Sequence, residues 1–185
     1  PIEHGVPDPF PYMHPVLKKN YGNWKWHDRP RPGVLHHVSH SEEEIWTVRA
    51  GTQRQMDVHT IRKLCDIADT FAEGHVRFTT RSNIEFMVSK VDMVGPLIDA
   101  LENEGFPIGG TGNSVSMISH TQGWLHCDIP GTDASGVVKS LMDELHHEFT
   151  HEEMPHRVRI TTSCCQINCG GRHDNGKLIV HWPLE

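Results

Sequence analysis

Between Gly33 and Glu104 the hydrophobic period of this chain switches in a fixed order, and this narrows its possible folds more than any other feature. GVLHHVS (33–39) and EIWTVRA (44–50) read as two strands around a turn at Ser41–Glu43, and HVRFTTR (75–81) alternates with the period of two expected of a half-buried strand. Asp57 is suited to an N-cap. After it, Ile61, Leu64, Cys65, Ala68 and Phe71 recur at spacings of three and four, which predicts a helix to about Ala72. HVRFTTR (75–81) and IEFMVS (84–89), separated by Ser82-Asn83, predict a second strand pair. A helix from about Asp92 to Glu104 follows, with Val94, Leu97, Ile98 and Leu101 on one side and Pro96 tolerated in its first turn. The order β-β-α-β-β-α predicts an α+β fold with helices on one face of a sheet.

Residues 1–33, rich in proline and aromatic side chains, read as an extended arm with little regular structure. Beyond Phe106 come a glycine-rich loop, a strand around 123–128, a helix over 133–148 and a strand over 157–165 that feeds a cysteine loop. The chain thus divides into an arm (1–33), one complete unit (34–106) and part of a second (107–185).

The formal net charge is −7, from 17 basic and 24 acidic residues, so no global field recruits nucleic acid or an anionic membrane. An anion site has to be local. No apolar run approaches the roughly 20 residues that span a bilayer, so no membrane insertion is expected. PIEHGVPDPFPYMHP lacks the basic start, apolar core and cleavage site of a signal peptide, and a cytoplasmic protein is the expectation.

Five cysteines, two of them adjacent, suit thiols or thiolate ligands better than a disulfide framework. Cys164, Cys165 and Cys169 form a compact C-C-x3-C group ending at Gly170-Gly171, with Cys127 as the natural fourth member. Four thiolates suit either an iron–sulfur cluster or zinc. Cys65, inside the first helical phrase, reads as an inert structural residue. The 16 histidines show no metal-binding spacing. His146, His147 and His151 read as a solvated helix face, and only His120 and His126 flank a proposed ligand.

Arg49, Arg77 and Arg81 lie on or at the ends of predicted strands, with Arg54 in the turn after one. Arg77 and Arg81 share a face if their strand is regular. Guanidinium groups at such positions suit carboxylates, phosphates or sulfur oxyanions, or simply solvent and acidic neighbours. Gly109-Gly110-Thr111-Gly112-Asn113 offers backbone amides to an anion, although P-loop spacing is absent.

Several segments together resemble the beta-subunit family of dissimilatory sulfite reductases: HPVLKKNYGNWKWH, VLHHV, WTVRAGTQRQM, LCDIAD, HVRFTTRSNIEFM, FPIGGTG, HTQGWLHCDIPGTDASG and RVRITTSCCQINCGG, from about Pro15 to Gly171. The resemblance implies a ferredoxin-like half-repeat followed by part of a domain that binds siroheme and a 4Fe–4S cluster. It implies cluster ligation by Cys127, Cys164, Cys165 and Cys169, with Cys169 bridging to the siroheme iron. Thr79-Thr80-Arg81 matches the family's siroheme-binding segment, and Arg49 matches an arginine associated with the active-site anion, so Arg49 and Arg81 are the implied catalytic residues. Arg54, Arg77, Asn83, Thr111, Gly112, Thr121, Gln122 and Trp124 are implied cofactor neighbours.

The implied reaction is the six-electron interconversion of sulfite and sulfide. CCQINCGG resembles the sulfur-oxidising branch, which runs that reaction in reverse. The implied partners are an alpha subunit, in an alpha2beta2 assembly that contributes further basic residues, and a small cysteine-bearing sulfur-carrier protein. The family subunit is about twice this length and carries an inserted ferredoxin domain whose cysteine run is absent here, and the sequence after Gly171 departs from the family pattern. On the residues alone, a cluster-only electron-transfer or assembly module and a four-cysteine zinc module remain open.

Overall fold

A computed structural model describes residues 8–169 together with the backbone of 178–181. The sequence departure expected after Gly171 therefore lies, apart from that short strand, outside the described residues. The arm contains α1 (Pro15–Lys19) and then β1 (Trp24–Arg31), and β2 (Val34–Ser39), β3 (Glu44–Gly51) and α2 (Val58–Phe71) follow. After α2 come β4 (Val76–Phe78), β5 (Asn83–Val88) and α3 (Val94–Asn103). The second unit holds β6 (Ser119–His120), α4 (Ala134–Glu144), α5 (His146–Thr150), β7 (Ile160–Ser163) and β8 (Leu178–His181).

The first sheet is antiparallel in the order β1-β2-β3-β5-β4, and α2 and α3 pack against it. The expected β-β-α-β-β-α order is therefore present. Its core comprises Val34, Val48 and Ala50, then Ile84, Phe86 and Val88 from the sheet, and Leu64, Ala68, Leu97, Ile98 and Leu101 from the helices. Alternation in the strands sends every second residue to this layer, which leaves the intervening positions for polar chemistry on the opposite face.

Asp57 caps α2 by accepting a hydrogen bond from the Thr60 amide at 2.7 Å. The buried stripe of α2 runs through Leu64, Ile67, Ala68 and Phe71; Ile61 and Cys65, expected on it, are exposed.

The arm is more regular than its sequence suggests. β1 adds to the sheet as an edge strand, although seven of its eight residues are exposed, so ladder hydrogen bonds and not burial hold it. α1 packs on β3, and the buried His14, whose Nδ1 accepts from the Val16 amide, sets Nε2 3.2 Å from Glu73.

Three further expectations change in the second unit. The strand expected over 123–128 is a single 3-10 turn, Gly123–Leu125, entered through Gly123 at φ +60°. The helix expected over 133–148 breaks at Leu145, and the redirected α5 brings Phe149 into full burial against Gly51, Gly109 and Gly110. Only Ile160–Ser163 of the strand expected over 157–165 is regular, in a parallel β6-β7-β8 sheet.

Candidate anion and cofactor site

On the sheet face opposite α2 and α3, Arg49, Glu85 and Arg77 lie side by side in register across β3, β5 and β4. Glu85 is fully buried, and its carboxylate accepts from Arg49 Nε at 2.7 Å and Arg77 Nε at 2.8 Å. Arg49 Nη1 also donates to the Gly110 carbonyl at 2.9 Å. This face therefore holds two guanidinium groups around one buried carboxylate.

β4 ends at Phe78, and the chain turns through Thr79–Ser82, with Ser82 at φ +59°. Thr79 Oγ1 closes the turn by accepting from the Arg81 and Asn83 amides at 3.3 and 3.0 Å. The turn separates the two arginines expected on one strand face. Arg77 stays on the sheet with Glu85, whereas Arg81 Nη1 reaches the carbonyls of Met117 and Ile160 at 3.2 and 3.1 Å in the second unit.

Where the two units meet, Arg49, Arg81, Arg157 and Arg159 line one cavity of about 200 Å³ with Thr79, Thr80, Asn83, Gly110 and Ser116. Burial holds the Arg157 guanidinium below its usual proton affinity, and the positive charges of Arg159, Arg49 and Arg29 push the same way. A cavity ringed by mutually repelling guanidiniums favours an anion. Arg157 and Arg159 were not singled out in the sequence; the alternation RVRIT, which sets both on one face ahead of β7, is the signal that could have found them.

Thr80 also lines a second cavity of about 220 Å³, with Arg54, Ser82, Ser119, His120, Thr121, Thr161, Thr162, Asn168 and Cys169. Arg54 Nη1 donates to the His120 carbonyl at 2.5 Å, and burial depresses the proton affinity of the His120 ring. A larger cleft of about 560 Å³ adjoins this cavity through Arg54, Ser82 and His120 and continues between Gly51–Gln55 and α4.

The cysteine loops are stitched together by hydrogen bonds. Thr121 Oγ1 accepts from the Cys164 amide at 2.8 Å, and the Cys164 carbonyl accepts from Gly131 and Thr132 at 2.9 and 3.1 Å. The loop carrying Cys127 is thereby fastened to Cys164 at both ends. Cys164 and Cys165 are buried, Cys127 is half-buried, and Cys169 is exposed at the cavity. Burial opposes ionisation of the Cys164 thiol, but hydrogen bonds involving Thr121, Gly123 and Cys165 outweigh it and lower its pKa. Among the described residues, no three His, Cys, Asp or Glu side chains stand together as a preformed metal centre.

The other expected contacts are placed differently. Thr111 Oγ1 accepts from the Gly33 amide and donates to Glu152, each at 2.7 Å, and Gly112 at φ +58° leaves room for that same carboxylate. The Gly109 and Gly110 amides donate to the carbonyls of Arg49 and Phe149, so two amides of the expected anion cradle bind the protein itself. Gln122 bonds the His126 ring, and Trp124 is 67% exposed; neither lines the cavities described.

The donor set fits a group rich in anionic acceptors. Guanidiniums and hydroxyls surround two adjoining cavities, and Thr162 Oγ1 and Asn168 Nδ2 are buried with no hydrogen-bond partner. The eight carboxylates of siroheme are acceptors of the kind these donors suit, and the four thiols match the ligand chemistry of a 4Fe–4S cluster.

Comparison with known proteins identifies relatives of the sequence and of the fold. Residues 37–104 match the family described as the nitrite/sulfite reductase ferredoxin-like half domain. The dissimilatory-type sulfite reductase beta subunit of Archaeoglobus fulgidus is 45% identical over 175 residues, covering 91% of this chain and 48% of that protein. The corresponding subunit of Megalodesulfovibrio gigas is 44% identical over 195 residues, covering 98% of this chain and 74% of that protein. The chain thus spans about half the length of the Archaeoglobus relative. Among solved structures, dissimilatory sulfite reductase I superposes with a TM-score of 0.75 at 15% identity, over 90% of this chain and 43% of that one. The NirA protein of Mycobacterium tuberculosis superposes with a TM-score of 0.56 at 14% identity, over 66% and 23%. These two likenesses establish the shared fold.

Proposed function

Because the chain belongs to the family of dissimilatory-type sulfite reductase beta subunits, we propose that it contributes the anion and cofactor surface of an enzyme interconverting sulfite and sulfide. The observation that carries this reading is the cavity ringed by Arg49, Arg81, Arg157 and Arg159, which shares Thr80 with the cavity lined by Cys169. When bound, a siroheme coupled to a 4Fe–4S cluster would carry the six electrons of the conversion, taking them up from the sulfur in the sulfur-oxidising direction. Cys127, Cys164, Cys165 and Cys169 would hold the cluster.

The protein's own contribution is electrostatic. Arg49, Arg157 and Arg159 neutralise the sulfur oxyanion and orient it through paired N–H donors, in a cavity where fewer waters screen them. Arg81, anchored on Met117 and Ile160, fixes the Thr79–Ser82 turn against the second unit and keeps Thr80 at the junction of the two cavities. Arg77 supports Arg49 through Glu85 from outside the cavity.

The same proposal includes an alpha subunit as partner, a small cysteine-bearing sulfur-carrier protein as sulfur donor, and a cytoplasmic location. Five unpaired cysteines suit such a reducing compartment. No helix among the described residues is long and apolar enough to cross a membrane. We assign the sulfur-oxidising direction from CCQINCGG.

Anaerobic purification of the full protein with its alpha subunit tests the assignment. Siroheme absorption with iron and acid-labile sulfide is the expected result. Iron and sulfide without a tetrapyrrole would reduce the role to electron transfer, and one zinc without a chromophore would overturn both. Rates measured in each direction with physiological donors test the second point, since exclusive sulfite reduction contradicts the sulfur-oxidising assignment.

A further inference from the structure

Thr162, on β7, and Asn168, in the turn between Cys165 and Cys169, both line the 220 Å³ cavity with Cys169. They are 2% and 9% exposed, and Thr162 Oγ1 and Asn168 Nδ2 have no hydrogen-bond partner. The backbone geometry does not account for the two unpaired polar atoms. The Thr162 carbonyl takes part in the β6–β7 pairing and would do so with valine in its place. Asn168 sits at φ +50° with its amide donating to the Cys165 carbonyl, an arrangement that glycine adopts more easily. Two buried donors without acceptors are unfavourable, so they point to an acceptor bound in the cavity.

The cavity lining narrows what that acceptor is. No aspartate or glutamate lines it, and its polar groups are hydroxyls, the His120 ring, the Asn168 amide and Arg54. The arginines of the neighbouring cavity suit an oxyanion. A neutral hydroxyl and amide beside the Cys169 thiol suit an anionic sulfur, which hydrogen bonds without requiring a full counter-charge.

We propose that Thr162 and Asn168 donate hydrogen bonds to the anionic sulfur of the iron–sulfur group at Cys169 and raise its reduction potential. Such donors stabilise the more negative, reduced state over the oxidised one. The inference rests on the cluster reading above and assigns these two residues a tuning role beyond cysteine ligation.

The test uses the full protein assembled with its alpha subunit, comparing Thr162→Val, Asn168→Gly and the double variant with Thr162→Ser. Midpoint potentials are read by redox titration followed by electron paramagnetic resonance, with iron, sulfide and siroheme content measured in parallel. Each single variant is expected to shift the cluster to a more negative potential, the double variant further, and Thr162→Ser to return to the unsubstituted value. Unchanged potentials with the cluster retained would overturn the proposal. So would loss of siroheme at constant potential, which would make the acceptor a siroheme carboxylate, or loss of the cluster from folded variants, which would make the pair necessary for holding it. Absence of iron and sulfide from the unsubstituted assembly would overturn the cluster reading as well, so the two failures are distinguishable.

Discussion

Arg49 stands directly opposite Glu85 in the β3–β5 register, and its Nε lies 2.7 Å from a fully buried carboxylate. Arg77 binds the other oxygen of that carboxylate, so one negative charge is shared by two guanidiniums, leaves the group net positive and fixes the direction in which Arg49 extends. Truncation by Glu85→Ala would leave both cations without their counter-ion. The expected loss is about 3 kcal/mol, at the lower end for a broken buried pair because Arg77 remains 59% exposed and solvated. Urea unfolding measures it, and Glu85→Gln should recover part of the loss through the amide oxygen. An unchanged midpoint for Glu85→Ala would rule out the clamp as a stabilising feature.

The glycine-rich loop is a packing device, and its Gly109 differs from Gly22 in the arm. A Cβ on Gly109 would lie 2.1 Å from the Phe149 carbonyl oxygen, an atom of the backbone that cannot rotate away. Gly22, at φ +73°, has nothing within 4 Å of the same added atom. Gly109→Ala is therefore expected to destabilise by about 3 kcal/mol or more through overpacking. Gly22→Ala should lose only about 1 kcal/mol, from the left-handed backbone. Thermal unfolding of the two variants compares steric clash with backbone strain, and equal shifts would contradict the distinction.

The arm introduces a pH dependence. Burial lowers the proton affinity of His14, the nearby His75 ring adds to this, and the Glu73 carboxylate opposes it without reversing it. A folded-state pKa below the ordinary value near 6.5 means that the unfolded chain binds the proton more tightly. The contribution is thus complete above about pH 6.5 and declines as pH falls through the window beneath it. Melting temperatures between pH 7.5 and 5 should fall on acidification, and His14→Asn should flatten that slope. A slope unaffected by the substitution would show that other groups set it.

Much of the first unit was legible because two periodicities, two for strands and about 3.6 for helices, are written directly into it. The Arg49–Glu85–Arg77 row was only half legible. The arginines stood out, but register across three strands, and so the partner Glu85, is not a local property of the sequence. Arg77 and Arg81 looked equivalent until the Ser82 turn separated them. The thiolate set was visible as C-C-x3-C plus Cys127, whereas the arm's β1 was hidden because an edge strand with exposed side chains leaves no hydrophobic alternation. Thr111 and Gly112 looked like an anion cradle because glycine-rich loops serve both backbone packing and anion binding, and only the positions of Phe149 and Glu152 separate the two uses.

The separation of Arg77 from the arginine-lined cavity gives a specific expectation for anion binding. Arg157 and Arg159 line that cavity with Arg49 and Arg81, whereas Arg77 pairs with Glu85 and does not line it. Removing a charge-assisted donor from a bound oxyanion costs about 1.5–3 kcal/mol, or roughly tenfold or more in Kd. Arg157→Ala and Arg159→Ala should each weaken sulfite binding by at least about that factor, and the difference should shrink as added salt screens the charge. Arg77→Ala should change affinity by less than about twofold, the remaining effect passing through Glu85 to Arg49. Isothermal titration of the full protein with sulfite at two ionic strengths measures all three variants. A loss for Arg77→Ala matching that for Arg159→Ala would place the anion on the sheet face and not at the junction of the two units.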